Sequence, residues 1–417
     1  MFAFVARHPI LDKEKDVYAY ELMFRDGKDG ALPIHDEKKN QFISDNFHAL
    51  GLDDISGDKK SFINLNPETL MQGIPAALDP ERVVIELSQD PSGDNGLADA
   101  CKHAKNLGFQ IALDDPHVIN RKTDILPLID IVKINLTANR LDLLERNLPR
   151  LVDSKLSLVA QQVNSYEDFA NSLSLGFQFF QGYFFAQPEA RLQRDLPASK
   201  MTLVDLMGES SSPEFKFERI NQIIERDAAL SYLLLRFINN PMINKRYKIN
   251  SLRHALNYMG EVEIKKFIAL LSLANLSNEK PLELTHMSLV RAKFFDLLSQ
   301  RRHLKIDPPV GFLIGLFSLL DALLDQDMPD ILNQLPLTEE VNNGLLGQSD
   351  EFAQYFALVR AFESGLWLNV IKASKHLDID QKELHGLYNQ AIVWGNGVRQ
   401  TLSSYFPTRK ITASATL

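Results

Sequence analysis

The spacing of short β-rich runs constrains this chain more than any other feature. Between Phe4 and about Pro188 they fall at 3–7, 18–22, 62–65, 83–87, 110–114, 131–134, 158–161 and 177–180. Several are nearly continuous apolar runs, such as Val83-Val84-Ile85, as expected of strands buried on both faces. Amphipathic stretches of helical length, among them 95–107 and 166–175, lie between many of them. Eight strands in such alternation predict an α/β barrel of the TIM type. The first two runs are separated only by Asp12-Lys13-Glu14-Lys15-Asp16, too short for a crossover helix. They predict a hairpin, and with it an antiparallel strand in the barrel.

After Pro188 the periodicity changes. Residues 191–200 are polar, contain Pro197 and read as a linker. From Leu203 the apolar residues recur at intervals of three and four, as in Ile220, Ile223, Ile224 or Phe312, Leu316, Leu319, Leu320, Leu323. An all-α bundle is expected, giving a division into a barrel domain (1–190), a linker (191–200), a helical domain (201–406) and a loose tail (407–417). A length of 417 residues is more than one ordinary core and by itself suggests two or three domains.

Composition narrows the setting. No apolar run reaches the ~18 to 20 residues of a membrane span, and the N-terminus lacks the basic-then-apolar order of a signal peptide. With one cysteine, Cys101, no internal disulfide forms. Its neighbours Ala100, Ala104 and Leu107 place it on a helix as a buried thiol. A cytoplasmic, non-membrane protein is expected. The net charge is -9 and the richest basic stretch is 301–305, so nucleic acid is disfavoured as the main partner.

In a barrel of this type chemistry sits at the C-terminal strand ends. Those ends carry Glu21, Asn64, Glu86, Asp114, Asp115, Lys133 and Gln181. One acid at a strand end is ordinarily a solvated rim residue or a helix cap. Several converging on one mouth supply oxygen ligands for a hard divalent cation. In order along the chain these residues resemble the EAL domains that hydrolyse cyclic di-GMP. Tyr20-Glu21-Leu22-Met23-Phe24-Arg25 is similar to their Glu-Ala-Leu-Leu-Arg signature, and Asn64-Leu65-Asn66 to their Asn-x-Ser. Glu86-Leu87-Ser88-Gln89 is similar to Glu-x-Thr-Glu; Asp114-Asp115, Lys133 and Gln181-Gly182-Tyr183 match as well.

The resemblance implies a first Mg²⁺ or Mn²⁺ site at Glu21, Asn64, Glu86 and Asp114, a second served by the paired aspartates and a later Glu, and Arg25 as a phosphate grip. The departures fall on the second site. The family's Ala-Glu-Gly-Val-Glu reads Ala160-Gln161-Gln162-Val163-Asn164, and its Asp-Asp-Phe-Gly-Thr-Gly loop reads Asp114-Asp115-Pro116-His117-Val118-Ile119. Gln161 and Asn164 are amides where acids are expected, and losing a central member of a catalytic unit costs roughly four to six powers of ten in rate. The expectation is a degenerate phosphodiesterase that has lost hydrolysis, with Lys133 and Gln181 as remnants. The altered loop disfavours cyclic di-GMP binding. Residual metal-dependent hydrolysis and non-hydrolysing receptor function stand as alternatives. A rival account has the retained acids stabilise the mouth through hydrogen bonds to Lys133 and Asn64.

The helical half resembles the HDOD domain. The segment 225–239 is similar to that family's opening helices, and 249–260 to its Ser-Ile-x-x-Ala-Ile-x-x-Leu-Gly motif. Where HD enzymes carry His-Asp, this chain has Ser318-Leu319, and leucine ligates no metal. His286 is read as a helix-face or core residue, and Trp367 as a packing residue between helices. The order EAL then HDOD implies a signalling adaptor that engages other signalling proteins through the helical domain, with a homodimer as the assembly EAL barrels often adopt.

Overall fold

The computed structural model of the protein describes residues 3–26, 55–65, 70–71, 73–74, 78–88, 96–114, 125–138, 148, 156–189, 208, 216–226, 228–239, 248–276, 280–304 and 309–402. The chain divides into two compact units, 1–187 with 358–385, and 188–357 with 386–417.

In the first unit eight strands close into a barrel in sequence order. They are β1 (Ala3–Asp12), β2 (Val17–Asp26), β3 (Lys60–Leu65), β4 (Val83–Ser88), β5 (Gln110–Asp114), β6 (Ile131–Asn135), β7 (Ser157–Gln161) and β8 (Phe179–Gln181). β1 is antiparallel to both neighbours, β2 and β8, and the other pairs are parallel. The hairpin forms because the Asp12 carboxylate accepts from the backbone N–H groups of Glu14 and Asp16, each at 2.9 Å. The last strand starts two residues later than its apolar run. The side chain of Gln178 accepts from the Leu158 N–H at 2.7 Å, which makes Phe177 and Gln178 the entry turn. Helices α1 (Leu97–Asn106) and α2 (Tyr166–Ser174) pack outside. α1 buries Cys101, whose thiol is pushed up to about 11 by burial. α2 opens on a capping box: Ser165 Oγ accepts from Asp168 N, and the Asp168 carboxylate accepts from Ser165 N, both at 3.0 Å.

Alternate residues of a barrel strand point inward. Ile10, Ala19, Phe62, Val84, Ala112, Ile131 and Val159 form one inward layer, none more than 1% exposed, with Phe179 packed against it. Two residues further along each parallel strand, the same parity gives Glu21, Asn64, Glu86, Asp114, Lys133, Gln161 and Gln181. β1 runs the other way, so its residue at that level precedes Ile10 by two: His8. An apolar plug therefore floors a polar layer to which every strand contributes.

One glycine is required where β8 ends. A Cβ on Gly182 would lie 2.1 Å from the Val163 carbonyl oxygen, inside backbone that cannot give way. Gly182→Ala is expected to cost about 3 kcal/mol through overpacking, read as a lowered barrel melting temperature.

The helices from residue 217 onward realise the three-and-four periodicity. They are α3 (Phe217–Arg226), α4 (Ala228–Ile238), α5 (Leu252–Leu276, kinked at Gly260), α6 (Leu282–Arg301), α7 (Val310–Phe317) and α8 (Leu320–Leu324). After them come α9 (Met328–Gln334), α10 (Glu339–Leu345), α11 (Asp350–Glu363), α12 (Trp367–Leu377) and α13 (Gln381–Leu402). Within the second unit, edge-to-face pairs Phe294–Tyr388 (5.2 Å) and Phe312–Trp394 (5.9 Å) tie α13 to α6 and α7. Among the described residues no helix is long and apolar enough to cross a membrane.

Candidate functional site

The polar layer is organised around one ammonium. Lys133, fully buried, donates to Glu21 Oε2 at 3.0 Å and to Glu86 Oε2 at 2.8 Å. Gln181 Nε2 donates to the same Glu21 oxygen at 2.5 Å. On the next strands, Gln161 Nε2 donates to Asp114 Oδ2 at 3.1 Å. The sequence places an amide where an acid would repel Asp114, and here that amide hydrogen-bonds it.

Glu21 and Glu86 share one ammonium with Asp114 nearby, and this sets the protonation of the two glutamates. Burial pushes the Glu86 carboxyl up, with Glu21 and Asp114 adding to it against Lys133, to about 8. Glu21 goes the other way: burial would raise it, but Lys133, the Gln181 bond and His8 together hold it below the usual carboxylate range. Lys133 is raised although burial opposes its charge, because Glu21, Glu86 and Asp114 surround it. Glu86 Oε1 is buried and has no hydrogen-bond partner. Glu86 is therefore the carboxyl that takes up a proton first.

His8 is the mouth residue that sequence reasoning missed. It is the register partner of Glu21 across the β1–β2 hairpin. Its Nε2 is buried without a partner, and burial, then Lys133, outweigh Glu21 and Glu363 to hold its pKa below the ordinary value. The antiparallel direction of β1 was the available signal, because it puts the mouth residue before the plug residue.

The other expected residues fall elsewhere. Asn164 is exposed, and its backbone N–H donates to the Asp168 carboxylate at 3.1 Å, at the cap of α2. Arg25 lies on β2 opposite Phe4, with its side chain outside the described residues. Asp115, Gln89 and 116–119 also lie outside them. His286 is fully buried in α6, as expected of a core histidine. At the HD position, Ser318 Oγ accepts from Arg291 Nη1 at 3.2 Å and donates to the Gly315 carbonyl at 2.7 Å. Burial raises the nearby Asp321 against a backbone bond and Arg291. No cage of three or more His, Cys, Asp or Glu suited to a metal occurs among the described residues.

An HDOD domain model matches residues 196–305. Over nearly the whole chain the protein is similar to cyclic di-GMP phosphodiesterase CdgJ of Vibrio cholerae, 32% identical over 404 residues that cover 96% of this chain and 94% of the relative. The chain belongs to the EAL–HDOD family. The uncharacterized protein YuxH of Bacillus subtilis is similar to the same extent, 31% identical over 406 residues, 94% of this chain and 98% of the relative. A structure of Klebsiella pneumoniae BlrP1 with calcium and cyclic di-GMP is similar at 20% identity and a TM-score of 0.38, covering 45% of this chain and 56% of that one.

As an EAL–HDOD protein, the chain carries its HDOD match over α3 to α6, the helices that contain the 249–260 motif. The Ser318-Leu319 position lies beyond that match. Glu21, Asn64, Glu86 and Asp114 are oxygen donors of the type a hard divalent cation takes, but the Lys133 ammonium occupies Glu21 Oε2 and Glu86 Oε2, which leaves Glu86 Oε1 as the buried oxygen without a hydrogen-bond partner. The amides Gln161 and Asn164 do not suit a second, since neither carries charge to offset another dication.

Proposed function

We propose that this EAL–HDOD protein is a cytoplasmic signal-transduction adaptor whose barrel no longer hydrolyses cyclic di-GMP and whose helical domain engages protein partners. The proposed functional division is 1–190, a linker at 191–200, 201–406, and a tail at 407–417. The observation that carries the reading is the Gln161–Asp114 hydrogen bond, 3.1 Å, in the place where the family resemblance implies a carboxylate and a second metal. Glu21, Asn64, Glu86 and Asp114 would hold a single Mg²⁺ or Mn²⁺, which supplies charge to bind a phosphate. Activation of water and support of the leaving oxygen in a two-metal displacement need the second ion as well.

The partnerless atoms of Glu86 and His8 favour a mouth that still takes a ligand over one that only braces the barrel. Binding of the dinucleotide without turnover follows as the ligand form of the same reading. A second reading, residual hydrolysis, has one observation behind it: the 32% identical relative is named a cyclic di-GMP phosphodiesterase. Labelled cyclic di-GMP incubated with a molar excess of the chain and either cation separates them. No linear product above the no-protein control is expected, and accumulation of linear dinucleotide would sink the adaptor reading.

A further inference from the structure

The helix α11 ends at the barrel. The last carbonyls of a helix have no partner within it, and here those of Arg360, Ala361 and Phe362 take the N–H groups of Ser364, Leu366 and Gly365. The next carbonyl, that of Glu363, accepts instead from the hydroxyl of Tyr183, 180 residues away, at 2.5 Å. The same carbonyl lies near enough to the His8 ring to raise its pKa, and Nε2 of that ring is buried without a partner. The rings of His8 and Tyr183 meet edge to face, 5.3 Å between centroids.

The turn is held from its other side too. Gly365 has φ +63°, and a Cβ there would lie 2.8 Å from Sδ and Cε of Met23 on β2. Two residues on, Trp367 packs against Phe362 (6.4 Å) and His385 (5.7 Å). The turn thus grips β1, β2 and the segment after β8, and its hold on β1 falls on the residue facing Glu21.

We propose that the 362–365 turn is a positioning element of the barrel mouth: the Glu363 carbonyl holds the Tyr183 hydroxyl, and the Tyr183 ring in turn seats His8 beside Glu21, so that a change of charge or occupancy at the mouth is felt at the turn. The inference rests on the reading of the mouth as the functional site. It makes residues well beyond the barrel sequence part of that site's framework. Tyr183 and Glu363 act through His8 and are positioning residues.

Gly365 can report this without any ligand. Labelling serine carbonyls with ¹³C and glycine amides with ¹⁵N leaves three Ser–Gly amides, at Gly57, Gly93 and Gly365. Gly57 precedes β3, at the opposite end of the barrel from the mouth, and serves as control. In the full chain, Glu21→Gln is expected to move the Gly365 resonance by several linewidths and leave Gly57 in place. Measured against the Tyr183→Phe single variant, the shift that Glu21→Gln produces at Gly365 should fall at least by half, whereas a purely structural latch would leave that increment unchanged. A Gly365 resonance unmoved by Glu21→Gln, or an equal response with and without the Tyr183 hydroxyl, overturns the proposal. A cyclic di-GMP titration followed by calorimetry and the same resonance separates the two readings. Heat with no movement of Gly365 overturns the turn's role. No heat, with the Glu21→Gln response intact, removes the dinucleotide as ligand and keeps the turn's role.

Discussion

Replacing Lys133 by methionine is expected to destabilise the barrel by about 3–5 kcal/mol, the usual cost of removing one partner of a buried ion pair. Methionine keeps most of the stem, so lost packing is a minor part. What remains is Glu86, fully buried, and Glu21, 17% exposed, without the ammonium 2.8 and 3.0 Å from them. The chain has two compact units, so its unfolding is not a single two-state event and needs a local reporter. Trp367 belongs to the barrel unit and Trp394 to the other, so urea unfolding in a Trp394→Phe background follows the barrel. Adding Glu21→Gln to Lys133→Met should recover more than half of the loss, because Glu21, held below the usual carboxylate range, carries the charge left unpaired. An unchanged midpoint for Lys133→Met would mean that the ammonium contributes nothing net to the fold.

The same cluster sets a pH dependence. Glu86 rises from 4.5 to about 8 on folding, so the folded state holds a proton that the unfolded chain releases. That stabilisation is complete below about pH 4.5 and is lost as pH climbs through 8, with a slope of up to about 1.4 kcal/mol per unit. Glu21, lowered on folding, acts in the opposite sense only at more acid pH, and His8, lowered from 6.5, opposes the fall below that value, so the loss is steepest between about pH 6.5 and 8. Barrel stability should therefore fall across that interval, and Glu86→Gln should flatten that fall. A slope that persists in the variant would assign the proton elsewhere.

Much of this site was legible because strand alternation is a strict period of two. Once β4 is recognised, Val84 in the plug fixes Glu86 in the mouth, and the same step gives Lys133 from Ile131 and Gln161 from Val159. His8 escaped that reasoning because β1 is antiparallel, which reverses the direction of the step. The grip of the 362–365 turn was not legible either. Helical periodicity predicts helices in this half of the chain and says nothing of which distant side chain donates to the last carbonyl of one of them. Tyr183 stands out in sequence only as part of the Gln181-Gly182-Tyr183 motif, and its role toward Gly365 appears only when its hydroxyl meets the Glu363 carbonyl 180 residues away. The change from barrel to bundle near Pro188 was plain for the opposite reason: period two and period 3.6 cannot be confused over long segments.

Gln161→Glu is the other substitution with a large expected effect, and it asks what one amide does for this barrel. In the wild-type chain the Gln161 amide donates to Asp114 at 3.1 Å. Glutamate there would bring a second carboxylate to about the same separation, and two such groups cannot both ionise unless a proton or a cation joins them. In chelator the variant barrel should therefore unfold earlier than wild type by about 1–3 kcal/mol, the cost of trading a half-buried hydrogen bond for a carboxylate facing a carboxylate. Millimolar Mn²⁺ should restore it, since a cation held at a hundred times its dissociation constant stabilises by about 2.7 kcal/mol. The wild-type chain, whose Asp114 already has a donor, should gain less from the same addition. Hydrolysis is not expected to return, because Asn164 stays neutral and is exposed at the cap of α2. Equal Mn²⁺ responses in the two proteins would mean that Gln161 does not govern the cation, and that the loss of a second metal must be sought at another residue. The amide's effect is chemical economy of a simple kind: a donor N–H closes a hydrogen-bond network that an acid could close only with an ion from solution.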